Sequence, residues 1–118
     1  MSRRSSPDIT ALRIAAQGIC RQLQAQAREQ ARRIRSGVAG DLTEADVERM
    51  TGDMVAAARA QLDDAAPPIE SLAADPELTA TRKEAAQLMA ATARQADAEL
   101  RNAWRARQDK VAGRRRRR

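Results

Sequence analysis

From Ile9 onward, apolar residues recur at steps of three or four: Ile9, Leu12, Ala16, Ile19, Leu23, Ala27, Ala31 and Ile34. That spacing keeps them on one face of a helix. Ser6 suits the cap position, Pro7 the first helical position, and Asp8 the positive end of the helix dipole. Ser36, Gly37 and Gly40 end the pattern. The first helix is therefore expected over about residues 7–36.

A second helix is expected over about 43–64. Thr43 and Asp46 have the spacing of a capping box, and Leu42 can staple onto Val47. Val47, Met50, Met54, Ala58 and Leu62 form its apolar face. Gly52 lies inside it, where it weakens the helix and leaves room for a neighbour to approach. Pro67 and Pro68 stop it. Residues 67–74 read as a short helical turn with Ile69 and Leu72 as plugs. Asp75, Pro76 and Glu77 repeat the cap, proline and acid order. A third long helix then follows over about 76–110. Its face is Ala85, Met89, Ala93, Ala96, Leu100, Trp104 and Val111, flanked by Leu78 and Leu88. Nowhere do β-branched or aromatic residues alternate as a strand requires.

The fold class this predicts is all-α: an up-down-up bundle of three helices in a single domain over residues 7–112. Residues 1–6 would be a flexible arm and residues 113–118 a disordered poly-Arg tail. The first and third helices outreach the second, and their apolar faces continue into the overhang. Seventeen Leu, Ile and Val residues with no Phe fall below the roughly one-fifth share at which disorder becomes a concern. A core so rich in alanine buries little area per residue. Both features predict a dimer or a place in a larger assembly, with Met89, Leu100 and Trp104 at the interface.

Composition excludes several kinds of chemistry. There is no histidine and one cysteine, Cys20, in 118 residues. General acid–base catalysis at neutral pH, structural zinc and helical di-metal sites all lack their usual ligands. No glycine-rich phosphate loop is present. The chain is therefore expected to be no enzyme, with no cofactor, no metal and no small-molecule substrate. Cys20 beside Ile19 reads as a small buried residue. No apolar run reaches the length of a membrane span, no secretory signal follows the charged start, and a cytoplasmic location is expected. Abundant Ala and Arg with little Lys suggest a GC-rich bacterial or phage genome.

The net charge of +6 is unevenly placed. Residues 41–78 hold ten acids against only Arg49 and Arg59. The excess of arginine lies in the first helix, the third helix and the two ends of the chain. One reading pairs the acidic second helix with its basic neighbours. The other makes binding surfaces of the end of the first helix (Arg28, Arg32, Arg33, Arg35) and the end of the third (Arg101, Arg105, Arg107, Lys110). Arg28, Arg32 and Arg35 share a face, as do Arg101 and Arg105. Arg114, Arg115, Arg116, Arg117 and Arg118 suit phosphate, which guanidinium binds through two parallel hydrogen bonds. Phosphate contacts release counterions and add affinity without reading sequence.

The function expected from this pattern is a sequence-nonspecific nucleic-acid-binding accessory factor of phage, plasmid or nucleoid type. Arg28, Arg32, Arg35, Arg101, Arg105 and Arg114–Arg118 would be its contacts, with Trp104 available for stacking. The alternative is a helical adapter or scaffold subunit that binds a protein through the apolar overhang, its basic tail incidental.

Overall fold

The computed structural model describes residues 7–116. Ser6, the proposed arm and Arg117–Arg118 lie outside the described residues. Within them the chain forms four helices and no strand: α1 (Pro7–Ser36), α2 (Glu44–Ala65), α3 (Ile69–Ala74) and α4 (Pro76–Arg116). The all-α expectation holds, with the 67–74 turn forming a helix of its own.

The helix ends follow local chemistry. Thr43 Oγ1 accepts from Asp46 N at 3.1 Å, and Asp46 Oδ2 accepts from Thr43 N at 2.9 Å. This reciprocal pair satisfies two otherwise orphaned donors. Asp75 Oδ1 accepts from Glu77 N and Leu78 N and so caps α4. Gly37 and Gly40 adopt positive φ, 83° and 85°, and turn the chain out of α1. Thr79 Oγ1 donates to Leu72 O, tying α3 to the start of α4.

The molecule is a rod of 73 × 24 × 17 Å. α4, with 41 residues, covers most of its length at about 1.5 Å per residue. α1 packs along α4, and α2 lies against both. The core runs along this seam: Ile9, Leu12, Leu23 and Ile34 from α1, Val47 and Leu62 from α2, and Leu78, Met89 and Leu100 from α4. Alanines at 16, 27, 31, 85, 96 and 103 are also buried there, and their small side chains let the helix backbones approach closely. Cys20 belongs to the same core.

Four details differ from the sequence reading. Gly52 is exposed, and a Cβ built there would meet nothing within 4 Å, so no neighbouring helix uses it for close approach. The α1 stripe is buried from Ile9 to Ile34 except that Cys20 takes the core position and Ile19 is half-buried; α4 packs along α1, so no bare apolar overhang is left on α1. Thr51, Thr81 and Thr92 are buried where no polar residue was expected. Each hydroxyl donates to the carbonyl four residues earlier (Val47, Glu77 and Leu88) at 2.9–3.0 Å, which leaves its methyl group to pack.

The fourth difference is at the C-terminal end. Residues 113–116, expected as disordered tail, are helical. Like charges three and four apart cost only a few tenths of a kcal/mol each. Arginine is a good helix former, and cations favour the negative end of the helix dipole. Gly113 stays within the helix and does not take positive φ.

Candidate nucleic-acid interface

The site forms where α1 ends. Arg107 of α4 lies over Gly37, so closely that a Cβ on Gly37 would meet its Nη2 at 2.7 Å. The positive φ favours glycine there, and the missing side chain leaves room for the guanidinium above it. This contact sets the basic last turn of α1, with Arg33 and Arg35, toward the same end of the rod as the basic last turns of α4, with Arg114, Arg115 and Arg116. α4 then runs on past Gly37 for Gln108–Arg116, roughly 14 Å at 1.5 Å per residue.

Between that extension and the α1–α2 loop is an open cleft of about 490 Å³. Ile34, Leu42, Trp104 and Val111 give it apolar wall, and Arg107, Arg115 and Arg116 give it cations. Asp41 and Gln108 complete the polar rim. Trp104 is half-buried, and its Nε1 donates to Leu42 O at 2.7 Å. The ring is thus fixed with its polar edge satisfied.

The proposed contact residues separate into three groups. Arg101 is enclosed by carboxylates: Asp97 at 3.0 Å, Glu48 at 3.1 Å and Glu44 at 3.2 Å. Its pKa is raised, first by the hydrogen bond to Asp97 and then by that to Glu48. It clamps α4 to the start of α2, with its donors engaged by carboxylates. Arg32 is held by Glu29 at 2.7 Å. That hydrogen bond raises the pKa of Arg32 and lowers that of Glu29. Both side chains are largely exposed, so the pair is weak and a competing phosphate can displace the carboxylate. Arg28, Arg35, Arg105, Arg114, Arg115 and Arg116 are exposed and have no ion-pair partner among the described residues.

The interface residues expected on the apolar face are placed otherwise. Leu100 and Met89 are 0% and 2% exposed. They are core residues of this chain, filling the seam against α1, and do not form a free surface. Trp104 packs against the same core and faces the cleft. The exposed large apolar residues, Ile14, Val38, Ile69 and Leu88, lie scattered.

The sequence reading missed the loop. Leu42 was read as a helix staple, whereas its carbonyl also anchors Trp104. Asp41 was counted only as one acid among many. The signal was present in Gly37 and Gly40, which bracket a tight return of the chain.

Among the described residues, no group of His, Cys, Asp and Glu could hold a metal ion. No described helix is long and apolar enough to cross a membrane. Comparison with known protein families, known proteins and solved structures finds no match to this chain.

Proposed function

We propose that this protein is a non-enzymatic, sequence-nonspecific nucleic-acid-binding accessory factor of the phage, plasmid or nucleoid kind. The observation that carries the reading is the Arg107–Gly37 contact. It gathers the unpaired arginines at the ends of two helices into one cationic end. Phosphates spaced along a strand can be neutralised there together, each releasing counterions. The body that presents this end is an up-down-up arrangement of α1, α2 and α4, with α3 as a short connector. Arg82 meeting Asp63 near the end of α2, and Arg101 meeting Glu44 and Glu48 near its start, support an α2 that runs against α4.

The nucleic-acid reading is favoured over the adapter reading for a specific reason. The adapter needed a broad bare apolar overhang; the α1 face is covered by α4, and the stretch of α4 that runs past α1 has Val111 as its one large apolar residue, beside Arg114–Arg116. The proposal is accordingly made for the single chain, which acts wherever its nucleic acid lies, in the cytoplasm of a bacterium.

The test is a salt titration of the full chain and of a chain ending at Gly113, each against two unrelated duplexes. Removing Arg114–Arg118 should reduce the slope of log K against log salt by up to about 4.5, at roughly 0.9 per phosphate contact. The loss should be equal on both duplexes. A truncated chain that keeps the full slope, or a full chain that binds neither duplex at low salt, would refute the reading.

A further inference from the structure

The cleft at the cationic end offers more than charge. Trp104, Gln108, Val111 and Arg115 recur at steps of four, three and four along α4. An aromatic ring, an amide, an apolar side chain and a cation therefore share one face of the helix. The loop residue Leu42 closes the apolar side. At about 490 Å³, the space lies within the range of about 300–1,000 Å³ typical of sites that take a small molecule or a single unit of a polymer.

The charges around it are not of one sign. Arg107, Arg115 and Arg116 stand on the α4 side and Asp41 on the loop side. A phosphate is drawn to the arginines and repelled by Asp41. A nucleobase has the opposite preference, since its amino and imino groups donate hydrogen bonds that a carboxylate accepts. The wall between them suits the faces and edges of a base. Trp104 is already fixed by its bond to Leu42 O, and Arg107 is already seated on Gly37. The Trp104 ring is held before any ligand arrives, so it loses little freedom on binding.

We infer that this cleft takes one unpaired nucleotide of a single strand. Its base lies against Trp104, Leu42 and Val111, and its phosphate on Arg107, Arg115 and Arg116. The inference rests on the nucleic-acid reading and adds a preference to it. A duplex offers the cleft only phosphates, because its bases are stacked and paired. A single strand offers a free base as well.

Trp104 is the sole tryptophan of the chain, so its fluorescence reports on this cleft alone. The full chain is titrated at one low salt concentration with four probes: a mixed-sequence single-stranded DNA, the matching duplex, inorganic tripolyphosphate and an oligoglutamate peptide. Binding is read by anisotropy for the labelled strands and peptide, and Trp104 emission is read for all four. The single strand should quench Trp104 over the same concentrations that raise the anisotropy. Duplex, tripolyphosphate and peptide should leave the emission nearly unchanged. Val111→Gln should weaken single-strand binding by roughly fivefold or more, and by more than it weakens duplex binding, with the helical circular dichroism retained. Arg115→Gln with Arg116→Gln should weaken both.

Single-strand binding without a change in Trp104, or with full affinity in Val111→Gln, would overturn this inference and leave the nucleic-acid reading standing. Equal quenching by oligoglutamate would assign the cleft to an acidic protein and overturn it as well. Binding of neither strand form would remove both.

Discussion

The two halves of α4 use arginine in opposite ways. Arg82 and Arg101, in the half that α2 covers, reach across to α2 carboxylates: Arg82 to Asp63, and Arg101 to Glu44 and Glu48. Arg105, Arg114, Arg115 and Arg116, in the half beyond the start of α2, meet no carboxylate among the described residues. Arg107 rests on a glycine. The residue type is the same throughout. What differs is where the acidic helix begins. Glu44 is the first residue of α2 and marks a boundary: beyond it no α4 arginine reaches an α2 carboxylate among the described residues, whereas before it Arg82 and Arg101 do and the exposed Arg94 does not. The α2 carboxylates thus hold two arginines of α4, while Arg28 and Arg94 along the body and Arg105 and Arg114–Arg116 toward the C-terminal end meet no carboxylate among the described residues.

The largest expected effect comes from Leu100, fully buried and next to that boundary. Leu100→Ala should cost about 2–5 kcal/mol of stability, the usual range for a buried leucine cut back to alanine. In a core this thin, that is a large share of the total. Urea unfolding followed by circular dichroism measures it. The same variant tests whether the comparison between halves depends on folding. If charge number alone decided binding, the unfolded chain would bind duplex as well as the folded one. Loss of binding in parallel with loss of helix shows that the gathered end matters. A variant with unchanged stability would show that the α1–α4 seam is not the core.

A smaller effect separates two neighbouring residues. Arg105→Gln should lower the salt slope by about 1 and weaken binding evenly across sequences, leaving the melting temperature unchanged. Arg101→Gln should do the reverse: a lower melting temperature from the lost clamp to Asp97, Glu44 and Glu48, and an unchanged slope. Identical behaviour of the two variants in either measurement would erase the boundary.

Those two residues also show how far the sequence could be read. The face of α1 was legible because every step is three or four and both ends carry cap or stop residues. The α2 cap was legible because a capping box depends only on residues three apart. Thr51, Thr81 and Thr92 were not, because a hydroxyl satisfied by its own helix is invisible to a count of apolar residues. The helical course of Arg114–Arg116 was hidden by a rule about isolated charge runs, which does not allow for a long helix already formed upstream. In the site, Arg101 and Arg105 are one helical turn apart and chemically the same. Asp97, four residues before Arg101, is a difference the sequence already carries; the placement of Glu44 and Glu48 against α4 is the part it does not. The cleft depends likewise on a contact between Leu42 and Trp104, 62 residues apart, and no local pattern announces it.

The finest test of the boundary is the cap that fixes it. Asp46 holds the first turn of α2, and with it Glu44 and Glu48, by accepting from Thr43 N at 2.9 Å. That backbone hydrogen bond pulls its pKa below the usual 3.8, helped by the Thr43 side chain and, more weakly, by the charge of Arg49. The direction sets the pH dependence. A carboxyl whose pKa is depressed in the folded state adds stability above its unfolded pKa. That contribution is lost as pH falls through the folded value. Asp46→Asn, which carries no charge at any pH, should therefore melt below the native chain at neutral pH. The gap should hold down to about pH 4–5, then narrow as the pH falls further and Asp46 takes up its proton. Melting curves from pH 2 to 7 at constant ionic strength measure it. Thr43→Ala removes the other half of the cap and should cost about 0.5–2 kcal/mol at neutral pH. Both substitutions loosen the turn that pairs Arg101, so each should add slightly to the salt slope for duplex binding by returning one arginine to the free set. A gap between Asp46→Asn and the native chain that persists undiminished at pH 2 would show that the ionised carboxylate does not make the cap. A slope untouched by either variant would show that Arg101 is held by Asp97 alone, and the boundary would then lie within α4 itself.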